Sequence, residues 1–312
     1  MRILLFSVTE IGASVLAFLL GEKHQVCGLV FNCSNNFDIQ EMKELAKPYK
    51  IPFWESNDLS DPKLIAAVKN TIKPDLILIA SFDQLAPKSL YSLAGLAAIN
   101  IHPSYLPDYR GFHPYFWPLA NGEKQSGVSF HYLSEKFDQG DVIAQKKVVI
   151  EPGDTAGIII DKQKKVALKI LKNMLAEIER TGQKPKAVPQ PAGNFVKAPK
   201  IKQRDFFIDW RWPTAKIIDR IRALNPHSPA FTFFRGELVG IYQARPAQTS
   251  TKAAAGAIIA LEASGPVVKT GDGAVVLVVV LAGKRYLLSG NDFIANEKVK
   301  VAEKFGWEER IS

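Results

Sequence analysis

Asn100, His102 and Asp138 are the residues of this chain whose types and spacing suit chemistry on an acyl group. The first two stand two positions apart at the end of the apolar run Ala97-Ala-Ile-Asn-Ile101. In an extended segment that spacing puts both side chains on one face. One supplies an amide donor and the other titrates near neutral pH. In acyl transfer an amide donor stabilises an oxyanion and an imidazole moves protons. Asp138 lies in Phe137-Asp-Gln-Gly-Asp-Val-Ile143, ahead of a glycine-containing turn and a strand. A carboxylate beside the imidazole orients it and stabilises its protonated form. The other histidines, 24, 113, 131 and 227, have no evident partners in the sequence. H-E-x-x-H, a cysteine pair at ligand spacing and G-x-x-x-x-G-K are all lacking, so no metal site is expected and no phosphate loop is read.

These residues need elements to position them. Arg2–Ser7, Gln25–Phe31, Asp75–Ala80 and Ala97–Ile101 read as buried strands. Helical patterns at Gly12–Leu20, Ile39–Tyr49 and Leu64–Ile72 alternate with them, and Ile51–Trp54 is a short extended piece. The alternation predicts an α/β domain with a Rossmann-like, mostly parallel sheet, whose ligands bind at the carboxyl ends of the strands. The first turn, Ser7-Val-Thr-Glu-Ile-Gly12, is not G-x-G-x-x-G, so no dinucleotide site is read there. Thr155–Arg180 is predicted as a long helix with Ile159, Val166, Ile170 and Leu171 inward and a solvated lysine face. Residues 184–204, with four prolines in Gly182–Lys202, read as a linker between a catalytic domain at 1–183 and a second domain at 205–312. In the second domain a helix at Pro213–Leu224 precedes short strands punctuated by glycine, which predicts a small OB-like β-barrel.

Composition agrees with this two-domain plan. The chain has 312 residues, 47% hydrophobic, enough for two cores. Cys27 and Cys33, the only cysteines, make no disulfide framework, and a reducing cytoplasm is expected. No signal peptide or membrane span is read: the apolar Met1–Leu20 is interrupted by Arg2, Thr9 and Glu10. Of the net charge of +9, residues 1–194 contribute little, 22 Lys and Arg against 20 Asp and Glu. Residues 195–312 carry 18 against 11, a basic excess that suits a polyanion or simply a soluble basic domain.

The segment Asn-Ile-His-Pro-Ser-Tyr-Leu-Pro-Asp-Tyr-Arg-Gly (100–111) resembles the active-site segment of the formyltransferases that use 10-formyltetrahydrofolate. Asn-Gly-Glu-Lys-Gln-Ser-Gly-Val (121–128) and Phe-Asp-Gln-Gly-Asp-Val-Ile (137–143) follow at that family's spacing. Phe207–Trp210, Ile221–Pro226 and Thr270–Gly273 resemble the C-terminal domain shared by its tRNA and amino-sugar branches, so nearly the whole chain is covered. The resemblance implies a catalytic Asn100–His102–Asp138 set and 10-formyltetrahydrofolate as formyl donor. It implies a pterin held by the loop of Ser81, Phe82, Asp83, Leu85 and Pro87, with Asp141 on the folate side. It implies an amine acceptor beside Ser104, Tyr105, Arg110, Gly111 and Phe112.

The acceptor stays open at this point. Initiator methionyl-tRNA suits the whole-chain resemblance and the basic C-terminal part, where Arg220 and Arg222 are candidate phosphate contacts if their helix faces solvent. A small amine, such as an amino-sugar nucleotide, suits two departures from the tRNA-acting branch. Asn32–Gln40 is short and has no Lys or Arg, and Phe112-His-Pro-Tyr-Phe-Trp117 is bulky where that branch has small residues. Water as acceptor would make the protein a formyltetrahydrofolate hydrolase. A non-catalytic nucleic-acid-binding protein is opposed by the intact Asn–His–Asp set.

Overall fold

Continuous runs of Ile, Leu, Val and Phe make strands that are buried on both faces, as in a parallel sheet covered by helices. In the computed structural model, which describes residues 1–34, 36–283 and 286–306, these runs form the centre of the first of two units. That unit comprises Met1–Pro114, Gln125–Val149 and Ile160–Pro199. Its elements begin with β1 (Arg2–Ser7), α1 (Glu10–Gly21), β2 (Gln25–Phe31), α2 (Phe37–Ala46) and β3 (Phe53–Glu55). They continue with α3 (Pro62–Ala67), β4 (Leu76–Ala80), α4 (Lys88–Tyr91), β5 (Ala97–His102) and β6 (Arg110–Gly111). The predicted helix at 64–72 is α3 followed by a π-helical turn, Val68–Ile72.

After α5 (Phe116–Ala120), which belongs to the second unit, come β7 (Gln125–Tyr132) and β8 (Val142–Val149). The seven-stranded sheet has the order β3-β2-β1-β4-β5-β7-β8. Pairing is parallel from β3 to β5 and antiparallel for β7 and β8. Leu4, Phe6, Val30, Leu64, Val68, Ile72, Ile77 and Ile79 form one core cluster of this unit. The long helix α6 (Ala156–Thr181) buries Ile160, Ala167, Leu171, Met174, Leu175 and Ile178. Val166 and Ile170, expected inward, are half-buried.

The proline-rich stretch read as a linker packs against the first unit as far as Pro199. Val188 bridges to Val142, and β9 (Lys197–Ala198) pairs in parallel with β6. No sequence period announces such a segment, because its backbone bonds go to scattered partners rather than to a regular ladder.

The second unit comprises Tyr115–Lys124, Ile150–Ile159 and the chain from Lys200. It contains α7 (Thr214–Leu224), β10 (Ala230–Phe234), β11 (Glu237–Ala247), β12 (Ile258–Glu262), β13 (Gly265–Lys269) and β14 (Ala274–Ala282). β15 (Tyr286–Ser289), α8 (Gly290–Asn296) and β16 (Phe305–Gly306) follow. The antiparallel sheet has the order β12-β13-β14-β11-β10-β16, with β15 on β14. Its two ends meet: Ile258 N donates to Glu303 O at 2.8 Å, and Phe305 N to Gly256 O at 2.9 Å. The sheet therefore curls back on itself, the barrel-like form that its short glycine-punctuated strands predict.

Two expectations are corrected in this unit. Arg220 and Arg222 do not face solvent; each is 8% exposed. Arg222 donates to Asp219 Oδ1 at 2.8 Å, and Arg220 lies 3.7 Å from Asp205 Oδ1. Phe116 of the aromatic segment is fully buried in the core cluster with Trp210, Ile217 and Ile221, and meets Trp117 edge-on. Amphipathic helix patterns do not distinguish an arginine paired under a core from one held in water, nor a core aromatic from a binding one.

Candidate active site

β5 ends at the switch in the sheet, with parallel β4 on one side and antiparallel β7 on the other. Asn100 and His102 leave one face of β5 near its carboxyl end, while Ile99 and Ile101 are buried on the other. Asp138 comes from the loop between β7 and β8, in the left-handed region with φ of 54°. Asp and Asn adopt that conformation more readily than bulky residues. Gly111 is also held with positive φ, 112°, and a Cβ there would stand 2.5 Å from Ala198 O. Its close approach lets its N–H donate to Asp138 Oδ2 at 2.8 Å.

The three side chains converge. Asn100 Nδ2 donates to Asp138 Oδ1 at 3.1 Å, and His102 Nδ1 lies 3.5 Å from the same oxygen. His102 Nε2 is 3.0 Å from Tyr109 O, which can only accept, so Nε2 carries a hydrogen. Nδ1 is then the nitrogen left to take up a proton. Burial pushes the His102 imidazole below its ordinary value, against the pull of the Asp138 charge, and keeps it neutral near pH 7. Burial works against the Asp138 charge too, but the adjacent His102 and the Gly111 N–H hold that carboxyl down, at about 2. Asp138 is therefore an anion facing a neutral base.

His131, passed over in the sequence, is part of this centre. It stands directly opposite Asn100 in the β5–β7 ladder, and opposed residues of an antiparallel pair share a face. It is 2% exposed, with Nδ1 at 2.8 Å from Tyr132 O and Nε2 at 3.0 Å from Asn100 Nδ2. The signal was strand register, which only pairing reveals.

Gln190 is the second residue missed. Its Nε2 donates to Asp138 O and to Gly140 O, both at 2.8 Å. Its Oε1 accepts from Arg110 Nε at 3.1 Å and Nη2 at 2.5 Å. Arg110, expected on the acceptor side, thus clamps the loop that carries Asp138, and its guanidinium also covers the Phe195 ring at 5.5 Å. Gln190→Ala is expected to lower turnover by about 10- to 100-fold, because a displacement near 1 Å in a catalytic group costs that much. Steady-state kinetics beside a melting curve checks this; unchanged kcat would show that the loop holds Asp138 without the clamp.

The remaining expected residues fall into three places. Ser104 is fully buried and its hydroxyl donates to Asp108 O at 2.7 Å, so it shapes the loop and cannot face an acceptor. Tyr105 is 38% exposed, with Lys147 Nζ 5.3 Å from its ring centre. Phe112 pairs with the exposed Phe137 at 6.1 Å. On the other side, the loop after β4 starts at the same sheet edge, since Ala80 pairs with Ile101. Ser81 has φ of 58° and its carbonyl accepts from Val8 N. Phe82 packs edge-on against Phe6, Asp83 accepts from Asn32 Nδ2 at 3.3 Å, and Leu85 is 41% exposed. Pro87 caps α4, and Asp141 is exposed.

A parallel sheet ending in an Asn–His–Asp centre, followed by a barrel-like domain, defines a two-domain acyl-transfer enzyme. The chain belongs to the formyl transferase family: residues 7–175 match its formyl transferase model, and residues 200–298 match the model of its C-terminal domain. It is 32% identical over 265 residues to a methionyl-tRNA formyltransferase of Syntrophus aciditrophicus (strain SB), covering 85% of this chain and 84% of that one. With the methionyl-tRNA formyltransferase of Bacillus velezensis it shares 30% identity over 313 residues, 98% of each. Among solved structures, HypX from Aquifex aeolicus in complex with tetrahydrofolic acid superposes with a TM-score of 0.68 at 21% identity. That match covers 97% of this chain and 48% of HypX, so the chain spans about half of HypX's length. WlaRD, a sugar 3N-formyl transferase, gives a TM-score of 0.65 at 18% identity, covering 88% and 96%. These two likenesses concern the fold.

Proposed function

We propose that the protein transfers a formyl group from 10-formyltetrahydrofolate to the amino group of methionyl-tRNA, in the cytoplasm. The observation that carries the reading is the Asn100–His102–Asp138 centre in a chain matched end to end by methionyl-tRNA formyltransferases. We assign the donor to the carboxyl edge of β4 and β5, where open α/β sheets take their ligands. Exposed Leu85 offers apolar cover, and the backbone of the Ser81–Pro87 loop runs at the same sheet edge as His102. The donor supplies an electrophilic formyl carbon and, at N10, its leaving group.

His102 Nδ1 takes the proton that the acceptor amine loses on attack, and passes it on to the departing nitrogen. Asp138, about 3.5 Å away, stabilises the imidazolium while it exists. Asn100 supplies an amide hydrogen to the oxyanion, worth about 3–4 kcal/mol in comparable sites. No Ser or Cys nucleophile is needed. Products are a formamide and tetrahydrofolate.

Tetrahydrofolate at 100 times its Kd should stabilise the protein by about 2.7 kcal/mol through mass action. A melting curve that ignores the ligand, with no formyl transfer from 10-formyltetrahydrofolate, would point to another donor.

Phosphate contacts on tRNA fall to the exposed cations of the second unit, such as Lys202, Arg204, Lys216, Lys252, Lys300 and Lys304. Each phosphate neutralised adds about −0.9 to the slope of log K against log salt on duplex nucleic acid. A second reading, a small amine acceptor, rests on the 32–40 segment, which has no Lys or Arg. The aromatic segment no longer supports it as strongly, since Phe116 is core. The deciding experiment offers 10-formyltetrahydrofolate with methionyl-tRNA or with a panel of amino-sugar nucleotides, and identifies the formylated product by mass. Product on a sugar nucleotide, with none on methionyl-tRNA at any salt, selects the second reading.

A further inference from the structure

We propose that His131 is a positioning residue of the transfer centre: its Nε2 lone pair holds one amide hydrogen of Asn100 while Asp138 holds the other. The inference rests on the formyl-transfer reading and adds a fourth member to its machinery.

The hydrogen-bond geometry fixes the roles. His131 Nδ1 is 2.8 Å from Tyr132 O, a carbonyl, so Nδ1 carries the hydrogen. Nε2 of that tautomer is a bare acceptor, and Asn100 Nδ2 lies 3.0 Å from it. Asn100 Nδ2 also donates to Asp138 Oδ1 at 3.1 Å, so both of its hydrogens are used. Reversing the amide would set its oxygen 3.1 Å from the anionic Asp138 Oδ1, which excludes that orientation. His131 itself cannot rotate: it is 2% exposed, pinned by Tyr132 O, and cross-strand to Asn100.

This arrangement assigns a sequence of partners. At rest, Asp138 Oδ1 accepts from Asn100 and faces His102 Nδ1 at 3.5 Å. When Nδ1 takes the proton from the attacking amine, the new N–H donates to Oδ1, a charge-assisted bond. Asn100 then releases that hydrogen to the oxyanion forming on the formyl group. The hydrogen on His131 Nε2 stays in place throughout, so the amide pivots about that bond as its second hydrogen turns from Oδ1 to the oxyanion. Without an acceptor at position 131 the amide loses one of its two anchors, and the donor aimed at the oxyanion is no longer held.

Three variants and one spectroscopic measurement test this. His131→Leu is expected to lower kcat by about 10²-fold, the cost of a misplaced group, with the KM for the formyl donor little changed. His131→Gln, whose amide oxygen can accept from Asn100, is expected to recover most of that loss. Asn100→Ala in a His131→Leu background should cost little beyond Asn100→Ala alone, because the two act as one unit. Wild-type kcat in His131→Leu would overturn the proposal, as would a loss in His131→Gln equal to that in His131→Leu at the same melting temperature. Nitrogen-15 NMR of the histidine rings gives a test independent of turnover: His131 should show the Nδ1–H tautomer, and an Nε2–H tautomer would sink the idea. If the wild-type protein formylates no amine, the functional reading fails while the tautomer still decides the anchoring.

Discussion

His102→Ala is expected to lower formyl transfer by about 10²–10⁴-fold, the usual contribution of a positioned acid–base group. The residue is buried, its Nε2–H is committed to Tyr109 O, and its Nδ1 faces Asp138 Oδ1 at 3.5 Å, a distance that His131 Nε2 shares. His131 is near, but its Nδ1 is bonded to Tyr132 O and its Nε2 to Asn100. Removing His102 also leaves Tyr109 O without this partner, at about 1–3 kcal/mol, so a lower melting temperature is expected too. The pH dependence separates the two effects. Burial holds the folded-state pKa below the ordinary 6.5, so the neutral base persists to lower pH and the acid limb of kcat/KM should lie below 6.5. The same shift makes stability fall as pH drops through 6.5, because the unfolded chain takes up that proton first. In the variant both the limb and that stability slope should vanish. Single-turnover rates across pH check this, and near-normal turnover would make His102 a structural residue.

The sequence carries the frame of the site better than its detail, for physical reasons. The strands through Ile101 are legible because a sheet buried on both faces requires apolar runs, and β2 runs over the expected Gln25–Phe31. Asn100 and His102 are legible because a polar pair at spacing two on such a strand must share a face. His131 is not, because its relation to Asn100 exists only through the register of β7 on β5. Gln190 is not, because it lies in Gln183–Pro199, where hydrogen bonds to Asp138 O and Gly140 O replace any hydrophobic period. Arg220, Arg222 and Phe116 are ambiguous in sequence for a related reason. An arginine beside an aspartate three residues away, or a phenylalanine in a short helix, looks alike in sequence whether solvent or core surrounds it.

Asp138→Asn should be about as damaging as loss of the base, because the carboxylate serves three partners at once. Its Oδ2 accepts from Gly111 N, and its Oδ1 accepts from Asn100 and faces His102 Nδ1. An asparagine can keep the Gly111 bond with its oxygen. Its NH2 group then points at the Asn100 NH2 group, donor against donor, and cannot stabilise a protonated His102. Replacing the aspartate of a comparable His–Asp pair by asparagine costs about 10⁴-fold, and a loss of about 10³–10⁴-fold is expected here. Stability gives a second, independent signature. The folded-state pKa of Asp138 is lowered from 3.8 to about 2, so its charge favours the folded protein above the higher value. That contribution is lost as pH falls from about 4 through about 2, and on the order of 2 kcal/mol is at stake. Acid unfolding of the wild-type protein should therefore include a component in that window which Asp138→Asn lacks. Equilibrium unfolding between pH 2 and pH 5, beside formyl-transfer rates at neutral pH, tests both parts. An Asn variant with more than a tenth of wild-type turnover would remove Asp138 from the mechanism and leave it as a clamp for Gly111.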